Sequence, residues 1–260
     1  MSKSGISLTL TAPSIKRIQG TPCVCYLCVN CIKPPFHNRK VRQALSLALD
    51  RNALASFYSK ETTPAYTLYS PVFSQIKTHK KKNRLLALKL LMEGLEEEGM
   101  HLQDILEETL YVSQTDQPFL QLILEELKST LHLKWKLCIR DPSELGVSSL
   151  HKEFPVKLYW WLNRVEDPSY FLETFSSKKS SESYTFWTND HLEEIIDRLQ
   201  KEECPEKRKS FHKEAEVLLN NEQPFIPLFY MPTFSFLQKN IHNIYSSSAE
   251  HFDLRHGYKS

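Results

Sequence analysis

Four cysteines crowd into nine residues, Cys23, Cys25, Cys28 and Cys31, and they are the first place to look for chemistry. Thiolates this close together can close around zinc or an iron–sulfur cluster. The residues between them argue otherwise. The stretch Cys-Val-Cys-Tyr-Leu-Cys-Val-Asn-Cys is rich in strand formers. In an extended segment Cys23, Cys25 and Cys31 point one way and Cys28 the other, so one thiol faces away from any shared ion. No nearby histidine and no second cysteine pair completes a zinc spacing. The expectation is an extended segment without metal. A metal-binding or redox protein using residues 23–31 is the competing reading.

Other chemistries leave weaker traces. The six glycines form neither GxGxxG nor a Walker pattern, and no GxSxG is present. There is no HExxH. His37, His101, His132, His151, His191 and His212 are far apart, and a lone histidine is poor grounds for a site. Glu96, Glu97 and Glu98 read as a solvated helix end. No catalytic set assembles, so neither an enzyme nor a cofactor is expected.

The elements that would position any site come from periodicity. Residues 6–11 alternate as a strand, and a second strand covers about 24–29. Pro34 and Pro35 break the chain before a helix over 39–50, capped by Asn38, with Val41, Ala44, Leu45, Ala48 and Leu49 inward. Residues 64–71 read as a loop. A helix over 84–98 starts at Asn83, carries Leu85, Leu88, Leu91 and Leu95, and ends at Gly99. A strand at 109–112 precedes a helix opened by Pro118 with Phe119, Ile123, Leu127 and Leu131 as its stripe. Residues 133–139 alternate as a half-buried strand, and 156–162 is dense enough in apolar residues for a sheet interior. Asp190 caps a helix carrying Leu192, Ile195, Ile196 and Leu199. Pro205 begins another, with Phe211, Ala215, Leu218 and Leu219 inward. Residues 225–230 form the last clear strand, placed at an edge or crossing by Pro227. The tail after Asn240 reads as polar and irregular. Strands and helices interleave, which argues for an α/β layering.

Composition sets outer bounds. There are 33 Lys and Arg against 31 Asp and Glu, so no general basic field points to nucleic acid. The dense basic run at 77–84 reads as a solvated loop before a helix. Hydrophobic residues make up 41% of the chain, with 14 Phe, 11 Tyr and 4 Trp, enough for a sizeable core. No apolar stretch is long enough for a transmembrane helix. Residues 1–13 alternate like a strand and lack a signal-peptide core. If that start is the true one, the expectation is a cytoplasmic chain.

Four segments in order resemble the extracytoplasmic oligopeptide- and dipeptide-binding proteins, family 5 of the bacterial solute-binding proteins. The first is NCIKPPFHNRKVRQALSLALDR at 30–51, where Pro34, Pro35, Phe36, Val41, Arg42, Gln43, Ala44, Leu45, Asp50 and Arg51 match the family pattern. Its physical content is a kinked entry and a capped helix, so it marks fold rather than ligand contact. The second is the helix at 87–99 ending in Gly. The third is WWLNRVEDPSYFL at 160–172, a Trp-containing strand before an acidic-Pro turn. The fourth is RKSFHKEAEVLLNNEQPFIPL at 208–228.

The resemblance implies the C-terminal lobe of a type II periplasmic-binding-protein-like fold, with helices on a mixed sheet. It divides the chain into a remnant of the first lobe and hinge strand at 1–29, the solute-binding lobe at 30–229, and a return segment at 230–260. Family members are about twice as long, so a shortened or split product is expected. The implied function is peptide binding for import by an ABC transporter in the periplasm. The implied partners are peptides, permease subunits and a separately encoded first lobe; a degenerate lobe without ligand binding is the alternative. In the family an aspartate four residues before the turn proline receives the peptide amino terminus. Counting back from Pro168 gives Arg164, which reverses that charge. Trp161 matches the pocket-lining Trp, and Tyr230 lies at the expected second crossing, beside the ligand. No metal is implied.

Overall fold

The computed structural model describes residues 15–78, 81–145, 154–162, 167–176 and 185–242, together with 245–246, 252–253 and 258–259. The expected strand at 6–11, His151 and Arg164 lie outside the described residues.

In chain order the elements are β1 (Ile15–Gln19), β2 (Cys23–Val29), α1 (Arg39–Ala48), α2 (Arg51–Tyr58), β3 (Thr63–Pro64), α3 (Arg84–Glu97), β4 (Thr109–Val112), α4 (Gln117–Leu131), β5 (Lys136–Ile139) and α5 (Pro142–Leu145). There follow β6 (Val156–Trp161), α6 (Ser169–Leu172), α7 (Asp190–Lys201), α8 (Pro205–Glu222), β7 (Phe225–Met231) and β8 (Phe234–Gln238). A four-stranded antiparallel sheet runs in the order β3-β7-β2-β6, and β4 and β5 pair in parallel in a separate sheet. Both pairing senses therefore occur, in separate sheets among the described residues. The tail is less irregular than its composition suggests, because 241–242 pairs with 258–259 and 245–246 with 252–253.

All seven residues of β2 are buried, because helices cover both faces of the sheet. Cys25, Leu27 and Val29 enter a core shared with α1 to α4, while Val24, Tyr26 and Cys28 enter a second core with α6 to α8. Among the described strands β6 is last in the order, beside β2, and β7, expected at an edge or crossing, lies between β3 and β2 before it leaves the sheet. Its Pro227 is tolerated there because the register shifts opposite Cys25 and Tyr26, so that Leu228 has no register partner on β2, while its carbonyl accepts from the Ala65 amide at 3.1 Å. The same bulge lets the consecutive residues Leu228 and Phe229 both enter the first core before Tyr230 turns to the second.

Local chemistry sets the helix ends. Asn38 accepts from the Lys40 amide and starts α1. The expected single helix at 39–50 breaks at Leu49, and Asp50 instead caps a second helix, accepting from the Asn52 and Ala53 amides. Asn189, not Asp190, caps α7. In α3 the expected stripe is rotated. Leu85 is 82% exposed, while Ala87, Leu91, Gly94 and Leu95 are buried. A Cβ on Gly94 would lie 2.8 Å from Val41 Cγ2, so the small residue is what lets α3 approach α1. Only 136–139 of the expected strand at 133–139 forms. Trp135 is buried just before it, donating to the Ile105 carbonyl at 2.9 Å, and Leu137, Leu158 and Trp160 are half-buried.

Two fully buried guanidiniums join these layers. Arg42 on α1 donates to the carbonyls of Phe36, His37 and Glu222 and to the Glu222 carboxylate at 3.0 Å. Arg51 on α2 donates to the Pro227 carbonyl at 2.8 Å and to Ser46. Burial lowers the Arg51 pKa to about 10, which leaves it charged at neutral pH. The motif at 30–51 thus holds α1 to the end of α8 and α2 to β7.

Candidate functional site

The sheet ends where β2 begins, β6 ends and β7 ends, with Val24 opposite Trp161 and Cys23 opposite Met231. From there residues 20–22 and 232–233 leave the sheet side by side, joined by Gly20 N–H to the Thr233 carbonyl at 3.0 Å and the Thr233 hydroxyl to the Thr21 carbonyl at 2.9 Å. They continue as the β1–β8 ribbon. Arg17 packs over the Phe234 ring and pairs with Glu61 at 3.0 Å, so the ribbon is also tied to the turn after α2. β2 itself lies at the centre of the sheet, which places 23–29 in the same body as 30–229.

β6 presents aromatic side chains to both faces of the sheet. Trp160 faces Tyr58 and Phe229 at 5.3 and 5.6 Å between ring centroids. Trp161, on the opposite face, meets Phe171 at 4.9 Å and Tyr170 at 5.5 Å. Trp161 is half-buried, whereas Tyr170 and Tyr58 are exposed. Exposed aromatic rings offer flat apolar contact at little entropic cost.

Tyr230 does not reach this surface. It is buried, with its hydroxyl 2.5 Å from the Thr67 hydroxyl and 3.2 Å from the carbonyls of Thr67 and Tyr69. It fastens β7 to the loop after β3. Arg164 belongs to the segment between β6 and Asp167. The downstream anchor of that segment is well defined. Asp167 accepts from the Ser169 amide at 2.8 Å and from Arg208 at 2.5 Å, and lies 3.5 Å from His212 Nε2. Partial burial pushes the Asp167 carboxyl up, but the Ser169 hydroxyl and amide and the nearby Arg208 and His212 outweigh it, so its pKa is lowered. Burial lowers the His212 pKa against the pull of Asp167.

Sequence reading missed this cluster, although its members stand in the third and fourth resembling segments. The signal was the acidic-Pro turn and the Arg-rich helix, read separately. The cluster contains a serine, a histidine and an aspartate, yet it is no nucleophilic triad. Ser169 and Asp167 both approach Nε2, and Nδ1 has no hydrogen-bond partner among the described residues. A relay needs the two ring nitrogens to face different partners.

The cysteines divide between the two cores. Cys25 enters the first, and Cys28 and Cys31 the second. Cys31 departs from the expected alternation because β2 ends at Val29. Burial pushes the thiol of Cys23 up to about 11 and that of Cys31 to about 12, and raises Cys25 and Cys28 as well, so thiolates are disfavoured at all four. No grouping of His, Cys, Asp and Glu suited to a metal occurs among the described residues. The metal or redox reading is not favoured. No helix among the described residues is long and apolar enough to cross a membrane.

A family model, "Bacterial extracellular solute-binding proteins, family 5 Middle", matches residues 4–183. The dipeptide-binding protein DppE of Bacillus subtilis is 24% identical over 238 residues, covering 85% of this chain and 42% of that protein. The oligopeptide-binding protein OppA of the same organism is 27% identical over 208 residues, covering 75% of this chain and 38% of the other. The chain therefore spans less than half the length of these relatives. Among solved structures, HbpA2 from Haemophilus parasuis superposes with a TM-score of 0.80 at 20% identity, over 95% of this chain and 50% of that one. A dipeptide-binding protein from Pseudoalteromonas in complex with Met-Leu gives 0.75 at 19% identity, over 100% and 53%. The fold is that of the type II periplasmic binding proteins.

Proposed function

From the premise that this chain belongs to the family 5 bacterial extracellular solute-binding proteins, we propose that it receives oligopeptides for an ABC importer, at the surface where β6 ends beside Trp161. The family's members are periplasmic or extracellular binding proteins rather than enzymes, and the chain's nearest chemistry, at Ser169, lacks a relay. The observation that carries the reading is the end of β6, where Trp160 and Trp161 stand on its two faces beside the exposed rings of Tyr58 and Tyr170. Such rings offer flat apolar contact that can hold the side chains of an extended peptide without selecting one sequence.

In this reading the described residues form one wall of a cleft. A facing lobe closes it, and permease subunits accept the loaded protein outside the cytoplasmic membrane. Arg164, at the family's amine-binding position, sets ligand charge. A cation there cannot pair with a peptide ammonium and favours an anionic group instead.

Calorimetry with N-acetylated acidic peptides and with free-amine peptides is the test. The 260-residue chain is expected to bind weakly, to prefer the acidic acetylated set, and to lose binding in Trp161→Ala. Arg164→Asp should move the preference toward free amines by about tenfold or more, the worth of one charge-assisted hydrogen bond. Tight binding of free-amine peptides that Arg164→Asp weakens would refute the role of Arg164. Binding indifferent to Trp161→Ala would move the site away from β6. An absence of binding in every case would leave this wall without ligand capacity of its own.

A further inference from the structure

Between Glu61 and Glu93 the chain has no carboxylate, while Lys77, Lys80, Lys81, Lys82, Arg84 and Lys89 fall in that interval. The whole protein has a formal charge of only +2, so this is a local concentration. It sits at the start of α3, which has no acidic residue in its first turn and no basic residue in its last. Glu93, Glu96 and Glu97 instead crowd the far end. A helix favours anions at its N-terminus and cations at its C-terminus, so α3 carries its charges against its own dipole. Helix stability therefore does not account for the arrangement.

Residues 81–86 are all exposed, and they join cations to apolar side chains. Lys82 pairs with Glu126 and Lys89 with Glu93, but Lys81 and Arg84 make no ion pair among the described residues. Directly after them Leu85 is 82% and Leu86 41% exposed. Two adjacent leucines open to water beside unpaired cations are costly to solubility unless something covers them.

We propose that this corner, Lys81, Arg84, Leu85 and Leu86, docks on an anionic lipid surface. Headgroup phosphates meet the two cations, and the leucines enter the boundary of the acyl chains. At the far end of α3, Glu93 and Glu97 are paired with Lys40 at 2.9 and 2.8 Å, so the positive charge offered to that surface lies at the N-terminal end. A nucleic acid fits less well. It would take the cations but offers nothing to the leucines, and residues 77–92 contain no Phe, Tyr or Trp on which bases could stack.

The test is co-sedimentation of the full chain with vesicles of phosphatidylglycerol mixed with phosphatidylcholine, and with phosphatidylcholine alone. Binding is expected to the mixed vesicles only and to weaken with salt. Lys81→Glu/Arg84→Glu should lower the partition coefficient at least tenfold, since each cation near such a surface is worth about fivefold. Leu85→Gln/Leu86→Gln should lower it by about tenfold with the charge intact. Lys134→Glu/Lys213→Glu, with the same change in net charge elsewhere, should leave it unchanged. Equal binding to both vesicle types, no binding, or an equal loss in the control variant would overturn the proposal. So would tighter binding to a DNA duplex that ignores the leucine substitutions. Thermal melts of each variant separate loss of docking from loss of fold.

Discussion

The two faces of the sheet bury polar groups in different ways. Beneath α1 to α4 the core is aliphatic, and the buried charges, Arg42 and Arg51, are matched by carbonyls, a serine and Glu222. Beneath α6 to α8 the core is aromatic and its polar groups are less completely paired. The Tyr69 hydroxyl, the Ser70 hydroxyl and His212 Nδ1 have no hydrogen-bond partner among the described residues. Glu216 is wholly buried on the same side, accepting from the Ser74 hydroxyl at 2.7 Å and the Gln75 amide at 2.9 Å. A fully satisfied network rigidifies a core, whereas a partly satisfied one leaves alternatives of similar energy. The pliable side is the one that carries Trp161.

The largest effect should come from breaking the satisfied side. Arg42→Ala strands three carbonyls and Glu222, and is expected to cost about 3–5 kcal/mol in denaturant unfolding. Lysine should restore only part, because it lacks the guanidinium fork. A loss under 1 kcal/mol would mean that the two faces do not differ as described.

A smaller effect is expected from packing on that face. Gly94→Ala places a methyl against Val41, whose backbone nitrogen lies 3.1 Å from the new atom. Overpacking costs about 1–3 kcal/mol, against about 1 kcal/mol gained by removing a helical glycine. A net loss of about 1–2 kcal/mol should appear as a lower Tm, and a net gain would show that α1 and α3 can separate at no cost.

The smallest effect concerns the pliable side and depends on pH. Burial raises the Glu216 pKa above its ordinary value of 4.5 despite its hydrogen bonds. Its contribution is therefore fully present below about pH 4.5 and is lost as pH rises through the raised value. Glu216→Gln cannot titrate. The Tm of the wild type minus that of the variant should be largest in acid and shrink toward neutrality, other carboxylates cancelling in the difference. A constant difference, or one growing with pH, would contradict burial as the dominant influence.

Much of this molecule was legible in local pattern. The Asn38 cap, the face of α1, the stripes of α4 and α7 and the strand at β2 follow from residues within a few turns of one another, where propensity and periodicity act. The resemblance at 30–51 also pointed to fold rather than ligand, and Arg42 and Arg51 prove to be internal anchors. Within the candidate site, Trp161 was legible from its segment. The partners Asp167 and Arg208 were each visible, but not their meeting.

What the chain alone determined was therefore which segments are helix or strand and which residues must leave water. Only the tertiary structure decided the order β3-β7-β2-β6 of the described strands, and with it that β7 lies between two others. Pro227 suggested an edge or a crossing because it lacks an amide hydrogen, but a bulge beside β2 absorbs that lack. Tyr230 was placed at the surface by position and lies inside because Thr67, 163 residues away in sequence, meets its hydroxyl. Contacts at such separation are set by the packing of whole layers, and no local pattern encodes them.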